Sequence, residues 1–134
     1  MLAIGVSSAF GAFSLGSYSG HTSQKSHGKN ISIKFKVFTR GNGTQKKTYA
    51  GNFSFKVIDK CSGGKSSTFS FSPNGNVGVQ SNGSFGYLDY NKGSYGGYAQ
   101  VTGKLSGTKA SGKLTDSTYS HGCSANVTWS AKVQ

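Results

Sequence analysis

The sequence predicts an all-β domain: an antiparallel β-sandwich, immunoglobulin-like or jelly-roll-like, with one disulfide. Three observations carry this. Apolar residues recur with period two in short runs, and no helical stripe persists over three turns. Clusters of Gly, Asn and Ser separate the runs: RGNG, PNGN, SNGS, NKGS and SGTK. One stretch, VTGKLSGTKASGKLTD, nearly repeats itself in a way that a hairpin explains. Short strands at close spacing with turn signals between them read as an antiparallel sandwich or barrel.

A chain of 134 residues makes one domain. Its boundaries are read as a domain over 17–134, preceded by an arm or signal remnant over 1–16. The opening MLAIGVSSAFGAFSLG is apolar and uncharged. It lacks a basic start, yet Ser7-Ser8-Ala9 is a small-residue cleavage site, so one reading is the tail of a secretion signal. The other is a first strand or a frayed arm. It is too short to span a bilayer, so no membrane span is expected.

The strands follow. ISIKFKVF places Ile31, Ile33, Phe35 and Val37 on one face. NFSFKV does so with Phe53, Phe55 and Val57, TFSF with Phe69 and Phe71, and NVGVQ with Val77 and Val79. A two-residue turn at Gly107-Thr108 sets Leu105 against Ala110, Gly103 against Gly112 and Val101 against Leu114. Those six make a dry face. Thr102, Lys104, Ser106, Lys109, Ser111 and Lys113 make a wet one, because side chains alternate along a strand. Gly at the first central position fits a type II′ turn. The glycine pair leaves a gap on the dry face, expected to be filled from a facing sheet by Trp129 or a phenylalanine. The last strand, NVTWSAKV, puts Val127, Trp129, Ala131 and Val133 inward.

Two cysteines, Cys61 and Cys123, each sit near the end of an alternating segment in a Gly/Ser-rich setting. A bond between them closes a loop of about 62 residues, worth roughly 4 kcal/mol by chain-entropy accounting. That matters here: Leu, Ile, Val and Phe number only 26 of 134, so the core is thin. Two buried free thiols are the alternative. Neither a CxxC nor a His/Cys spacing points to zinc, and no metal or cofactor is expected.

Taken in order, YSGHTSQ before ISIKFKV, then FKVIDKCSGG, VTGKLSGTKASGKL and GCSANVTWSA, these pieces resemble a group of small exported β-sandwich proteins from soil bacteria. The likeness covers about residues 17–133. It implies fold, disulfide and export, and it implies no activity or substrate.

Catalysis finds little material, and the protein is read as no enzyme. The only acids are Asp59, Asp89 and Asp116, and all three are expected where loops begin, as solvated groups. A glycosidase needs two carboxylates; Asp89 and Asp116 could in principle meet, but Asp116 ends the hairpin and Asp59 sits beside Cys61. A Ser/His/Asp triad has its raw materials, but there is no GxSxG elbow, and His21, His27 and His121 read as exposed loop residues. Asn30, Asn42, Asn52, Asn82 and Asn126 begin Asn-x-Ser/Thr triplets, as expected by chance in such a composition.

The net charge is +12, and fourteen of the fifteen basic residues are lysine. Lys34, Lys36, Lys56, Lys104, Lys113 and Lys132 alternate with apolar residues, where they guard sheet edges against pairing. The excess beyond that role attracts polyanions. Nucleic acid is expected to bind only non-specifically, since Arg40 alone offers a planar bidentate contact. GYLDYNKGSYGGYAQ concentrates Tyr87, Tyr90, Tyr95 and Tyr98 around a glycine loop. Tyr90, Lys92, Tyr95 and Tyr98 are the candidate ligand residues, a platform for sugar rings. The plainer alternative makes Tyr87 and Tyr98 cross-strand partners. The reading is a secreted, non-catalytic module for an anionic polymer or glycan. The alternative is a structural envelope protein that self-associates through the arm.

Overall fold

A computed structural model of the chain describes residues 12–71, 75–89, 96–118 and 122–134. Among these residues nine strands succeed one another: β1 (Gly16–Ser26), β2 (Lys29–Arg40), β3 (Lys47–Lys60), β4 (Ser66–Phe71), β5 (Val77–Gly78), β6 (Ser84–Asp89), β7 (Tyr98–Ser106), β8 (Lys109–Thr118) and β9 (Cys123–Val133). Among the described residues there is no α-helix, and none long and apolar enough to cross a membrane. The all-β class and the Cys61–Cys123 disulfide both hold.

The sandwich needs correction. The strands form one antiparallel sheet in the order β4-β3-β2-β1-β9-β8-β7-β6, with β5 paired to β3. The sheet closes on itself where Lys60 of β3 pairs with Ser124 of β9. The result is a small closed barrel with strands outside it. Two irregularities curl the sheet. Between Lys34 and Lys36, β3 carries an extra residue, and Asn52 adopts φ 53 there. Asn tolerates this left-handed backbone better than a branched residue does. The bulge re-phases β3, so that Ala50 and Phe53 both point inward. The second shift lies between His21 and Lys25, at the end of β1.

The strand β1 was hidden in the sequence. Its inward residues are Tyr18, Gly20 and Thr22, so no apolar alternation marks it. Gly20 is required by close approach: a Cβ would strike the Ser130 carbonyl oxygen on β9. His21 therefore lies in a strand rather than a loop, paired with Ser130 and Ser32. His27 does occupy a turn, with Gly28, both at positive φ.

Phe35 is the hub of the core. Its ring stacks on Tyr18 at 5.1 Å and lies 5.6 Å from both Phe53 and Trp129. Phe85 reaches it from β6 at 5.8 Å. Trp129 is 3% exposed and shares this core with Ile33, Phe35, Phe55 and Leu105, as its period-two neighbours predict. The hairpin register is the expected one: Leu105 with Ala110, Gly103 with Gly112, Val101 with Leu114. Gly107 has φ 60 while Thr108 stays out of the positive-φ region, which suits the II′ turn. The gap over the glycines is filled, though not from a facing sheet. Trp129 pairs with Gly112 on one side and Phe85 with Gly103 on the other. The two rings lean across the glycines from within the same sheet. A Cβ on Gly103 would stand 2.6 Å from Phe85 Cζ and 2.7 Å from Trp129 Cζ2.

Two aspartates are not solvated loop residues. Asp59 continues the inward face of β3 and Asp116 that of β8, at 2% and 0% exposure. Strand phase decides this: each lies two residues beyond an inward apolar neighbour, Val57 or Leu114. The arm is also partly committed. Ala12 and Ser14 bond the backbone of Gly107, and Phe13 packs against the core. Tyr18 donates its hydroxyl hydrogen to the Ser14 carbonyl at 2.7 Å. Strand addition to a neighbour would thus have to use residues 1–11, which lie outside the described residues.

Two outcomes follow from this packing. Trp129→Ala should cost about 3–5 kcal/mol and Gly103→Ala about 1–3 kcal/mol by overpacking. The double variant should cost less than the sum, because the new methyl enters the space the indole leaves. Denaturant unfolding of the three variants measures this; strict additivity would contradict the ring-over-glycine arrangement.

Burial raises the pKa of Tyr18 above its ordinary 10.0. The fold favours the neutral phenol. Its contribution is whole below pH 10.0 and is lost as pH climbs through the raised value. Tyr18→Phe should therefore show a shallower fall of Tm in that alkaline window than the parent protein. Parallel curves would show that Tyr18 ionises as freely folded as unfolded.

Candidate functional site

Among the described residues, two concave surfaces of the outer face stand out. The first spans β1, β9, β8 and β7 and encloses about 490 Å³. Strand pairing sets its side chains in rows. One row runs Lys34, Ser19, Lys132, Lys109, Ser106. The next runs Ser32, His21, Ser130, Ser111, Lys104. Gly20, Ala110 and Ala131 lie beneath, and none of the lining residues is acidic. Lys132 and Lys109 are direct cross-strand partners. Like charges in that relation destabilise a sheet. Asp59 and Asp116 are buried, and neither lines this groove.

The second surface lies at the seam where the barrel closes. The seam itself is pinned three ways. Cys61 and Cys123, with Cα atoms 3.9 Å apart, bond just beyond the Lys60–Ser124 pair. Beside it Gln24 acts as a substitute strand partner. Its side-chain amide donates to the Ile58 carbonyl at 2.8 Å, and its amide oxygen accepts from the Ile58 N–H at 2.8 Å. The kink at the end of β1 aims Gln24 there. Thr22 Oγ1 accepts the Gln24 N–H, and the Asn30 side chain donates to the Thr22 carbonyl. Over this seam a groove of about 550 Å³ is lined by residues of five strands. Tyr98, Ser117, Ser124 and Lys60 form one continuous cross-strand row, and Thr115 and Asn126 form the next.

Of the sequence-derived ligand candidates, Tyr98 lines the seam groove and is half-buried as the first residue of β7. Tyr90, Lys92 and Tyr95 lie outside the described residues, as does His121. Tyr87 packs 5.7 Å from Phe71, in keeping with a cross-strand and core role. Cys61 and Cys123 are joined. Among the described residues no cluster of three or more His, Cys, Asp or Glu is placed to hold a metal ion.

Sequence reading passed over the Lys109–Lys132 pairing and the seam residues Gln24, Lys60 and Asn126. A signal for the first existed. Once Trp129 is laid over Gly112 in an antiparallel pair, Lys132 must fall opposite Lys109. Nothing comparable marks Gln24, whose partner is 34 residues away. In comparisons with known proteins, no family model, curated protein or solved structure matches this chain.

Gln24→Ala should orphan both backbone groups of Ile58, at about 1–3 kcal/mol for each one left dry. Gln24→Glu keeps the acceptor and, where the carboxyl is ionised, loses the donor, so its loss should be intermediate there and smaller at a pH where the protonated carboxyl regains an O–H donor. Thermal unfolding measures both. Equal stability of all three proteins would remove Gln24 from the closure of the barrel.

Proposed function

We propose that this protein is an exported, non-catalytic module that binds an anionic polymer on the lysine-lined groove of β1, β9, β8 and β7. One observation carries the reading: Lys109 and Lys132 stand directly opposite each other in a groove with no acidic lining residue. An anion lying between them turns a repulsive pair into a bridged one. The serines around them, Ser19, Ser106, Ser111 and Ser130, supply donors and acceptors to the same ligand. Lysine is a compact point charge, suited to phosphate, sulfate or carboxylate without a demand for planar geometry. The disulfide agrees with an oxidising compartment. The resemblance to small exported proteins of soil bacteria points the same way. Such a groove asks for no reaction, and binding alone accounts for its residues.

The test uses a phosphate-bridged polymer, a polyuronate and a neutral polysaccharide, each at low and high salt. Binding should be confined to the two anionic polymers and should weaken as ions screen it. Lys109→Ser and Lys132→Ser should each lower affinity about fivefold, from roughly 1 kcal/mol per lysine at an anionic surface. Either change relieves the unliganded pair, so Tm should hold or rise. Lys46→Ser, in the turn between β2 and β3, should change nothing. Affinity unaltered in both groove variants would reject this surface as the site.

A further inference from the structure

The seam groove differs in chemistry from the lysine groove. Its central row begins on the Tyr98 ring, crosses the Ser117 and Ser124 hydroxyls and ends on Lys60. Thr115, Asn126 and Gln24 flank that row. The groove thus offers one aromatic face, the four hydroxyls of Ser23, Thr115, Ser117 and Ser124, two side-chain amides, a single ammonium and the buried carboxyl of Asp116. Hydroxyls and amides both donate and accept, and they alternate at strand spacing. That mixture suits a ligand bearing many hydroxyls on an apolar ring, which can lie against tyrosine and exchange hydrogen bonds along its edge. It does not suit a densely charged polymer, which one lysine would not neutralise. The volume of about 550 Å³ falls in the range of small-ligand sites.

We propose that this groove is a saccharide-binding site, separate from the lysine groove and independent of what binds there. Its place adds a consequence. Lys60 belongs to β3 and Ser124 to β9, and the next residue out from each along the chain is a disulfide cysteine. A sugar held by both strands ties the seam from outside. It binds the closed barrel in preference to an opened one, so it stabilises the closed form by mass action and slows reduction of Cys61–Cys123.

The experiment titrates the whole protein with neutral hexose, N-acetylhexosamine and uronate oligosaccharides. It reads binding by calorimetry and, separately, the rate of disulfide reduction by a small thiol. At least one oligosaccharide class should bind. Tyr98→Ala and Asn126→Ala should each weaken that binding at least about tenfold, a loss of roughly 1.4 kcal/mol, while Tyr98→Phe keeps most of it. Asn126 is exposed, so its variant tests the site even where loss of Tyr98 disturbs the fold. The bound sugar should slow reduction several-fold in the parent protein and not in Asn126→Ala. The Lys109→Ser/Lys132→Ser double variant should bind the same sugar normally, in high salt as in low. The proposal is overturned if no class binds, if binding survives both Tyr98→Ala and Asn126→Ala, or if it disappears only in the lysine double variant.

Discussion

The architecture depends on one join: β3 meeting β9. Without the pair at Lys60 and Ser124 the sheet would be an open, strongly curled ribbon with an exposed edge on β9's side of the seam. Direct backbone pairing there is a single rung, and a single rung is weak support for closing a sheet. The chain compensates with two devices of different kinds. The disulfide limits how far the strands can part in the unfolded ensemble. Gln24 supplies the missing rung in the folded state, with an amide that copies the donor and acceptor of a peptide group. The two act on opposite sides of the folding equilibrium, so neither substitutes fully for the other.

Closure makes a thin core sufficient. The chain has few aliphatic side chains, and its interior is built on aromatic rings around Phe35. Rings need flat, open ground. Gly103 and Gly112 provide it, paired across β7 and β8, with Trp129 and Phe85 leaning inward from the strands on either side. The backbone entropy spent on those glycines is offset by ring contacts that two ordinary side chains would block. The same logic explains Gly20, which lets β1 and β9 approach closely beside the seam.

Charge is sorted by strand phase. Lysines occupy outward positions on β2, β3, β7, β8 and β9, while two of the three acids point inward. The outer surface is therefore more uniformly cationic than the composition alone conveys. It is not uniform in kind, however. Toward the hairpin end the face is lysine and serine. Toward the seam end it becomes tyrosine, serine, asparagine and one lysine.

Local pattern is enough to specify the all-β class, the inward faces of β2, β7, β8 and β9, the Phe53–Val57 stretch of β3, the register of the β7–β8 hairpin and the burial of Trp129. Each of these is local: alternation and turn chemistry act over a few residues, and period two allows one face only. Tertiary structure decided the rest. Strand β1 is invisible to alternation because Tyr18, Gly20 and Thr22 face inward for reasons of packing and approach. The burial of Asp59 and Asp116 follows from strand length, which composition does not reveal. Sheet closure, the Lys109–Lys132 pair and the Gln24–Ile58 bridge join residues distant in the chain. Such contacts depend on which strands become neighbours and how bulges turn them, and no local pattern encodes that choice.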